Sequence, residues 1–202
     1  MKIETYEEGG RREIIWKMVT GTGGLWEIGQ VNVTGMNIII TVEKAAGSTG
    51  FVALDELFLV DNVEKCETLP PEAAVDVTTT TAEHNNPDVE FECDFEESQC
   101  GWEVGSTNDP KYKWERISYD ECTSQHDDCP EVFEPEANHY FMYVDGSKGS
   151  ENDNTELMSP DNKDQGDCLM FEFNFRVSFF NKEILFLSLY IPEKTRVQFN
   201  ED

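Results

Sequence analysis

The sequence has few basic residues. Its 202 residues include 42 Asp and Glu but only 15 Lys and Arg, so the formal net charge is −27. Nucleic acids and anionic membranes attract Lys and Arg, and a chain this acidic would be repelled by both. The composition therefore excludes nucleic acid as a partner. It favours basic partners, whose binding would weaken as salt is added.

Long apolar segments are also missing from the sequence. The longest run, residues 184–191, has the length of a β-strand, whereas a helix that crosses a bilayer needs about 20 apolar residues. Residues 1–8 contain one base, early acids and no apolar stretch, so no secretory signal peptide is predicted there. We therefore expect no direct membrane insertion by this segment.

Motifs for catalysis are missing as well. The sequence contains neither the His-Glu-X-X-His pattern of metalloproteases nor the Gly-X-Ser-X-Gly elbow of serine hydrolases. Its three histidines are His84 in an acidic linker, His126 in an acidic loop and His139 at the start of a predicted strand. We predict a protein that is not an enzyme and that requires no cofactor.

Aromatic residues, by contrast, make up 11% of the chain, which indicates a buried core rather than acidic disorder. Phe171, Phe173 and Phe175 alternate with polar residues, as in a strand with one buried face. Residues 26–33 predict another strand, and the β-branched run 37–42 is typical of a sandwich interior. No stretch has convincing helical periodicity. The predicted fold class is all-β, an antiparallel β-sandwich.

An acidic linker divides the chain. Residues 67–90 contain paired prolines and four consecutive threonines but no basic residue, which is typical of a spacer or a short O-glycosylated stalk. Both flanks, 1–66 and 91–202, have β-strand patterns. A short similarity between residues 2–6 and 186–190 indicates a duplicated strand.

Six cysteines favour an oxidising compartment. Cys93 and Cys100 enclose six residues, and so do Cys122 and Cys129, so each pair can close a small loop. His126 lies between the members of the second pair. Three ligands without a fourth do not make a structural zinc site, so a disulfide is favoured over zinc.

Several motifs occur in the order typical of one family. Residues 92–102, followed by Asp109 and Trp114, resemble the opening of a MAM domain. Residues 140–145, 157–160 and 168–173 resemble the segments that come next in that family. MAM domains are extracellular modules of meprins, neuropilins and mu-type receptor tyrosine phosphatases. The resemblance implies a jelly-roll-like version of the β-sandwich.

The front of the chain resembles the second half of a MAM domain. Residues 26–47 follow the family pattern, 50–57 resemble its C-terminal signature, and Cys66 matches its last cysteine. Residues 1–66 thus resemble the C-terminal part of a first domain, and 91–202 the truncated N-terminal part of a second. We interpret the chain as a fragment of a tandem MAM protein, for which the MAM and LDL-receptor class A type is one option.

The resemblance implies a disulfide between Cys93 and Cys100. It also pairs the third family cysteine with the fourth, which correspond here to Cys168 and Cys66 in reversed order along the chain. The second part of the chain followed by the first approximates one whole domain in permuted order. We predict that the two parts close into one sandwich with Cys66 near Cys168. The alternative is two half-domains that fold only in the full-length protein.

The resemblance also implies a candidate metal site. In related jelly-roll modules an ion often lies where the N- and C-terminal strands meet. Glu96, Asp109 and Asp55 are the carboxylates at the matching positions, and Asp145 is a fourth. Four carboxylates with backbone carbonyls could bind calcium. Glu96 and Asp55 could instead accept backbone hydrogen bonds at strand ends.

Two further residue types allow a functional and a structural interpretation. Asn32 begins the only Asn-X-Ser/Thr triplet and could carry a glycan if it faces outward in a secreted protein. The four tryptophans could be sugar-stacking platforms or core residues. We assign Trp102 and Trp114 to the core because they fall at family motif positions.

Together these features predict a non-enzymatic, extracellular module for adhesion or protein recognition. It would be secreted or would belong to the ectodomain of a membrane protein. Its partner would be an extracellular protein or a glycan, and homophilic association is an option. Two alternatives stay open: a carbohydrate-binding jelly-roll module, which would show two exposed Trp or Tyr side chains on a concave face, and a non-catalytic appendage of a secreted metalloprotease.

Overall fold

The structure is a computed structural model. It describes residues 1–6, 12–33, 37–61, 68–75, 88–107, 109–126, 129–130, 139–160 and 169–178. Several positions discussed above lie outside these ranges, namely Cys66, the threonines 78–81, His84, Cys168 and the strand predicted at 186–190.

Within these ranges the chain forms eleven β-strands, one 3-10 helix and one α-helix. The strands of the part before the linker are β1 (Lys2–Tyr6), β2 (Arg12–Lys17), β3 (Glu27–Val33), β4 (Asn37–Glu43) and β5 (Phe51–Asp61). The others are β6 (Asp88–Cys93), β7 (Glu103–Thr107), β8 (Glu115–Ser118), β9 (Tyr140–Asp145), β10 (Asn154–Met158) and β11 (Leu169–Ser178). The 3-10 helix is Pro71–Ala73, and the α-helix, α1, is Tyr119–Gln125.

The strands form two antiparallel sheets, which pack face to face as a sandwich. The first sheet has the order β2-β1-β4-β10-β7, and the second has the order β3-β11-β5-β9-β8, with β6 paired to β5. The predicted all-β sandwich is therefore confirmed. Strands from both sides of the linker share each sheet, because β10 pairs with β4 and β11 lies between β3 and β5.

The alternating sequence of β11 builds the centre of the core. Phe171, Phe173 and Phe175 are all at most 1% exposed, whereas the polar residues between them are half-buried. Trp16 on β2 meets the ring of Phe173 edge-on, with centroids 5.3 Å apart, and Phe175 in the same way at 5.2 Å. Such pairs add about 0.5–1.5 kcal/mol beyond burial. They also join the first part of the chain to the last described strand.

The run 37–42 behaves as its β-branched composition predicts. Ile38, Ile39, Ile40 and Val42 are each at most 4% exposed in β4. This strand is the third of five in the first sheet, with β1 on one side and β10 on the other. Because successive residues of β4 point to opposite faces, their burial shows that both faces of this strand are covered, which a nearly continuous apolar run requires.

Part of the predicted spacer packs against the sandwich. Leu69 and Gln30 exchange two backbone hydrogen bonds of 2.8 and 3.0 Å, and the indole N–H of Trp16 donates to the Leu69 carbonyl at 2.8 Å. Ala73 is buried, and Ala74 forms a β-bridge with Trp16. Gln30 and Trp16 belong to β3 and β2, the edge strands at one side of the two sheets. Residues 68–75 therefore close that side.

One short helix occurs where the sequence analysis found no convincing helical periodicity. The helix α1 begins with a capping box in which Ser118 Oγ accepts the Glu121 N–H at 3.2 Å and the Glu121 carboxylate accepts the Ser118 N–H at 3.3 Å. Seven residues are too few to show helical periodicity. The Ser-X-X-Glu pattern was the available signal.

The helix and its disulfide cover the outer face of the second sheet. Cys122 is fully buried and bonded to Cys129, with Cα atoms 5.7 Å apart. Beneath them lies a small apolar cluster whose sheet residues point away from the main core: Phe51, Ala53, Ile117, Phe141 and Tyr143. The insert around α1 therefore gives this sheet a second buried face.

Candidate functional site

A histidine held between two carboxylates lies where the two parts of the chain meet. Asp55 is on β5, Glu96 is in the loop after β6, and His139 directly precedes β9. The His139 Nε2 atom is 2.8 Å from Asp55 Oδ2, and Nδ1 is 2.6 Å from Glu96 Oε1. We call these three residues the histidine–carboxylate cluster. A neutral imidazole ring has one N–H and can donate to only one ionised carboxylate. Hydrogen bonds to both Asp55 and Glu96 therefore require one more proton, on the ring or on a carboxyl group.

Asp55 reaches this position because β5 changes partners there. Before it, Leu54 pairs with Met142 of β9; after it, Leu57 pairs with Cys93 of β6. The pairing of β5 with β11 also shifts register at this point. The next residue, Glu56, has φ of +48°, and its N–H donates to Asp55 Oδ1 at 2.8 Å. The irregular backbone thus aims the Asp55 carboxyl at the histidine.

Burial dominates the electrostatics of Asp55. The residue is only 5% exposed. Desolvation raises the pKa of Asp55 to about 7, although the charge of His139 and the hydrogen bonds from the Glu56 N–H and His139 act to lower it. Burial therefore favours the protonated form of Asp55, which is one source of the additional proton that the cluster requires.

Arg116 on β8 fixes the loop that carries Glu96. Its guanidinium donates to two backbone carbonyls of that loop, each at 2.6 Å, and lies 3.7 Å from the centroid of the Tyr140 ring. The Tyr140 N–H donates to Glu96 Oε1 at 3.1 Å. The disulfide between Cys93 and Cys100 closes the loop, with Cα atoms 5.9 Å apart. The Glu96 carboxylate is thus positioned from both its own loop and β9.

Of the four predicted calcium ligands, the structure brings together Glu96 and Asp55. Asp109 Oδ1 accepts the backbone N–H of Lys111 at 2.8 Å. Asp145 Oδ1 accepts the backbone N–H of Ser147 at 2.8 Å, and Asp145 Oδ2 lies 3.2 Å from His126 Nδ1. Across the ranges given above, no group of three or more His, Cys, Asp or Glu side chains could hold a metal ion. The four residues do not fit a calcium site in this arrangement, and calcium binding stays a prediction.

The segment considered for zinc has another structure. Cys122 and Cys129 are joined in a disulfide. His126 turns toward Asp145 instead, and its ring lies 5.1 Å from that of Tyr143. The side chains thus form a covalent loop next to a histidine–carboxylate contact, as the disulfide interpretation requires.

The tryptophans do not form a sugar-stacking platform. Trp16, Trp102 and Trp114 are at most 3% exposed. Trp26 is half-buried and packs edge-on against Phe141, with centroids 6.3 Å apart. In the described ranges no tryptophan is available as one of a pair of exposed stacking rings. The core assignment of Trp102 and Trp114 agrees with their burial.

Asn32 lies on the edge strand β3, opposite Met170 of β11. It is half-buried, and its Oδ1 atom is buried with no hydrogen-bond partner. The inward-facing neighbours Val31 and Val33 are buried in the core. Asn32 therefore points to the outer face of the sheet, as a glycan site requires, and glycosylation itself stays a prediction.

A comparison of the chain with models of protein families gives one match. Residues 93–200, more than half of the chain, match the MAM domain, meprin/A5/mu. The chain belongs to the MAM family. Comparisons with curated proteins and with solved structures found no match. MAM domains are non-catalytic extracellular modules of larger proteins that serve adhesion or interaction. No helix in the described ranges is long and apolar enough to cross a membrane.

The histidine–carboxylate cluster joins the matched MAM segment to the preceding part of the chain. Glu96, His139 and their support Arg116 lie within the matched residues, whereas Asp55 precedes them. The motif order indicated one site for Asp55 and Glu96, whereas His139 was placed only at the start of a predicted strand. Their separations of 84 and 43 residues from His139 gave no signal for the contact.

Proposed function

We propose that this chain is a non-enzymatic, extracellular module for adhesion or protein recognition within a larger secreted or membrane-anchored protein. Membership of the MAM family is the observation that carries this proposal. The histidine–carboxylate cluster supports it in a second way. His139 contacts two carboxylates, so its hydrogen bonds are directed to groups that position it and not to a nucleophilic Ser, Thr or Cys.

The proposal includes the division into parts of two MAM domains, residues 1–66 and 91–202, that associate in permuted order. The sharing of both sheets by strands from the two parts supports it. The contacts of Trp16 with β11 and the closure of one side by residues 68–75 add further support. We also propose that Asn32 carries a glycan when the chain is secreted.

The partner in this proposal is an extracellular protein with a basic surface. The net charge of −27 favours such a partner electrostatically. A fluorescent tetramer of the secreted chain should bind to cells, and trypsin treatment of the cells should remove the binding. Raising the salt from about 0.1 M to about 1 M should weaken it, because the Debye length falls from about 10 Å to about 3 Å.

Three results separate this proposal from its alternatives. Binding that survives trypsin but disappears after glycosidase treatment would support the carbohydrate-binding module instead. Aggregation of beads coated only with this chain would identify homophilic association. An absence of binding to every cell type tested, with a chain shown to be folded, would contradict the proposed function.

Calcium is tested separately by calorimetric titration of the secreted chain. The present arrangement of Glu96, Asp55 and His139 predicts little or no heat at micromolar calcium, because the histidine lies between the two carboxylates. Tight binding would show that this cluster rearranges and would restore the sequence-based prediction.

A further inference from the structure

A repeat in the sequence has no role in the proposed function. Residues 186–196 resemble residues 2–12, which contain β1 and the first residue of β2. The family match extends past β11 to residue 200, so it includes the second copy of the repeat and excludes the first. The second copy lies outside the described residues. The chain therefore carries two similar segments, of which the first contributes β1 to the first sheet.

The second copy preserves the side chains that β1 directs into the core. Ile3 and Thr5 are at most 1% exposed and pair with two buried isoleucines of β4. The corresponding residues of the second copy are Leu187 and Leu189. Both are apolar, whereas Thr5 brings a hydroxyl group into the core. At these two positions the second copy is therefore at least as suitable for burial beside β4 as β1 itself.

The repeat also preserves a cation for a buried carboxylate. Arg12 Nη1 lies 2.5 Å from Glu156 Oε1, and Nη2 lies 3.3 Å from Oε2. Glu156 on β10 is only 8% exposed, and a buried carboxylate requires a charged or hydrogen-bonding partner. The spacing from Tyr6 to Arg12 equals the spacing from Tyr190 to Arg196. A strand formed by the second copy would thus place Arg196 where Arg12 meets Glu156.

The end of β11 and the start of β1 meet at one cavity. Its volume is about 420 Å³, and its lining includes Ser178, the last residue of β11, and Met1, which precedes β1. A segment that continues from β11 to the position of β1 therefore passes this cavity. Residues 179–185 would form this connection. Seven residues can extend to about 23 Å, enough to cross a cavity of this size.

The lining of the cavity suits this connecting segment. Val42, Phe51 and Val144 contribute buried apolar surface, and Ile14 and Val19 line the cavity while remaining 37% and 70% exposed. Four of the seven residues in the connecting segment are Phe, Ile or Leu. Their entry would remove apolar surface from water on both sides of the contact. The segment also begins at the rim of the cavity, which makes it the occupant closest at hand.

We propose that residues 186–196 bind beside β4 in the position of β1, in exchange for residues 2–12, while residues 179–185 fill the cavity. Two segments of one chain thus compete for one place in the first sheet. Attachment to Ser178 through seven residues favours the chain's own segment over a second copy of the chain, because it raises the local concentration of the segment. The exchange leaves β3, β4 and β5 in the sandwich. It does not depend on the proposed function.

The test compares proline variants of the full chain by amide hydrogen exchange. Proline within a strand removes a ladder hydrogen bond, so Thr5→Pro disables the first copy and Leu189→Pro disables the matching position of the second. We expect Thr5→Pro to stay folded and to gain protection at residues 186–190, and Leu189→Pro alone to have little effect. The double variant should lose protection in β4 by at least about tenfold more than the two single variants predict together.

The matched control combines Thr5→Pro with Thr195→Pro, because Thr195 corresponds to a position between β1 and β2. This control should behave like Thr5→Pro alone. Ile3→Ala, which weakens β1 without removing a hydrogen bond, supplies a milder variant and should also raise the protection of residues 186–190.

Four results would overturn the inference. Independent effects of Thr5→Pro and Leu189→Pro would show that the two copies do not compete. Unfolding of Thr5→Pro as complete as that of the double variant would show that the second copy does not replace β1. Unchanged protection of residues 186–190 in Ile3→Ala would contradict the exchange in a folded chain. Protection that appears only in a dimer on size-exclusion chromatography would assign the position to a strand from a second copy of the chain.

Discussion

At the scale of single residues, Asp55 is a buried carboxyl whose pKa is strongly raised. Its carboxyl is buried beside His139, and Glu96 approaches the same ring from the other side. Both carboxylates could be proposed from the sequence because they occupy motif positions. The histidine could not, since its partners are distant along the chain and its role depends on the change of neighbours by β5 near Asp55.

The raised pKa of Asp55 predicts how stability depends on pH. The folded state holds this proton up to about pH 7, whereas the ordinary value for Asp is 3.8. Between these values the folded state binds more protons than the unfolded state, so this group's contribution falls as pH rises through that window. The Asp55→Asn variant should lose less stability than the unaltered chain between pH 4 and pH 7, by roughly a few kcal/mol.

Urea denaturation at a series of pH values measures this difference. Glu151→Gln, which removes one exposed carboxylate, is the matched control and should follow the unaltered chain. Parallel curves for Asp55→Asn and the unaltered chain would contradict the raised pKa.

A second residue-scale prediction concerns Gly29. A Cβ atom built at this position would overlap the ring of Phe173. Gly29→Ala should therefore displace a ring at the centre of the core and destabilise the fold by about 1–3 kcal/mol, as overpacking does. Gly47 is the control, because a Cβ atom there meets nothing within 4 Å, although its φ of +69° adds a smaller backbone strain. Thermal unfolding measures both variants, and a Gly29→Ala protein as stable as Gly47→Ala would contradict the packing.

At the scale of elements, the sequence predicted long strands better than short or irregular pieces. The alternation in β11 and the β-branched run of β4 were sufficient to predict these two strands, because burial of one or both faces of a strand imposes those patterns. The helix α1 was missed because its seven residues span only two turns. The packing of residues 68–75 was missed because it depends on backbone hydrogen bonds to Gln30 and on the Trp16 indole, which composition does not show.

The disulfide at α1 leads to a prediction at this scale. Closing the loop between Cys122 and Cys129 restricts the unfolded chain, by about 2.5 kcal/mol in the entropic description. Replacing both cysteines by Ser should lower the free energy of unfolding by roughly that amount. It should also increase amide hydrogen exchange in α1 while β4 stays protected. Unchanged exchange in α1 would show that its packing on Phe141 and Tyr143 is sufficient without the bond.

At the scale of the whole molecule, the central claim is that one sandwich is assembled from chain segments on both sides of an acidic linker. β1 to β5 precede the linker, β6 begins within its last three residues, and β7 to β11 follow it. Neither set contains a complete sheet, since both sheets take strands from each. The sequence suggested this closure through the order of its MAM-like motifs. It could not show the registers, such as Phe171 opposite Val31, that bring the two parts together.

Nuclear Overhauser effects between the Trp16 indole and the rings of Phe173 and Phe175 test this claim most directly. The two ring pairs have centroids 5.3 and 5.2 Å apart and come from opposite sides of the linker. The account predicts strong cross-peaks for both pairs in the monomeric chain, lost together when Trp16 is replaced by Leu. A folded, monomeric chain without these cross-peaks would contradict it, because the two parts would then not share one core.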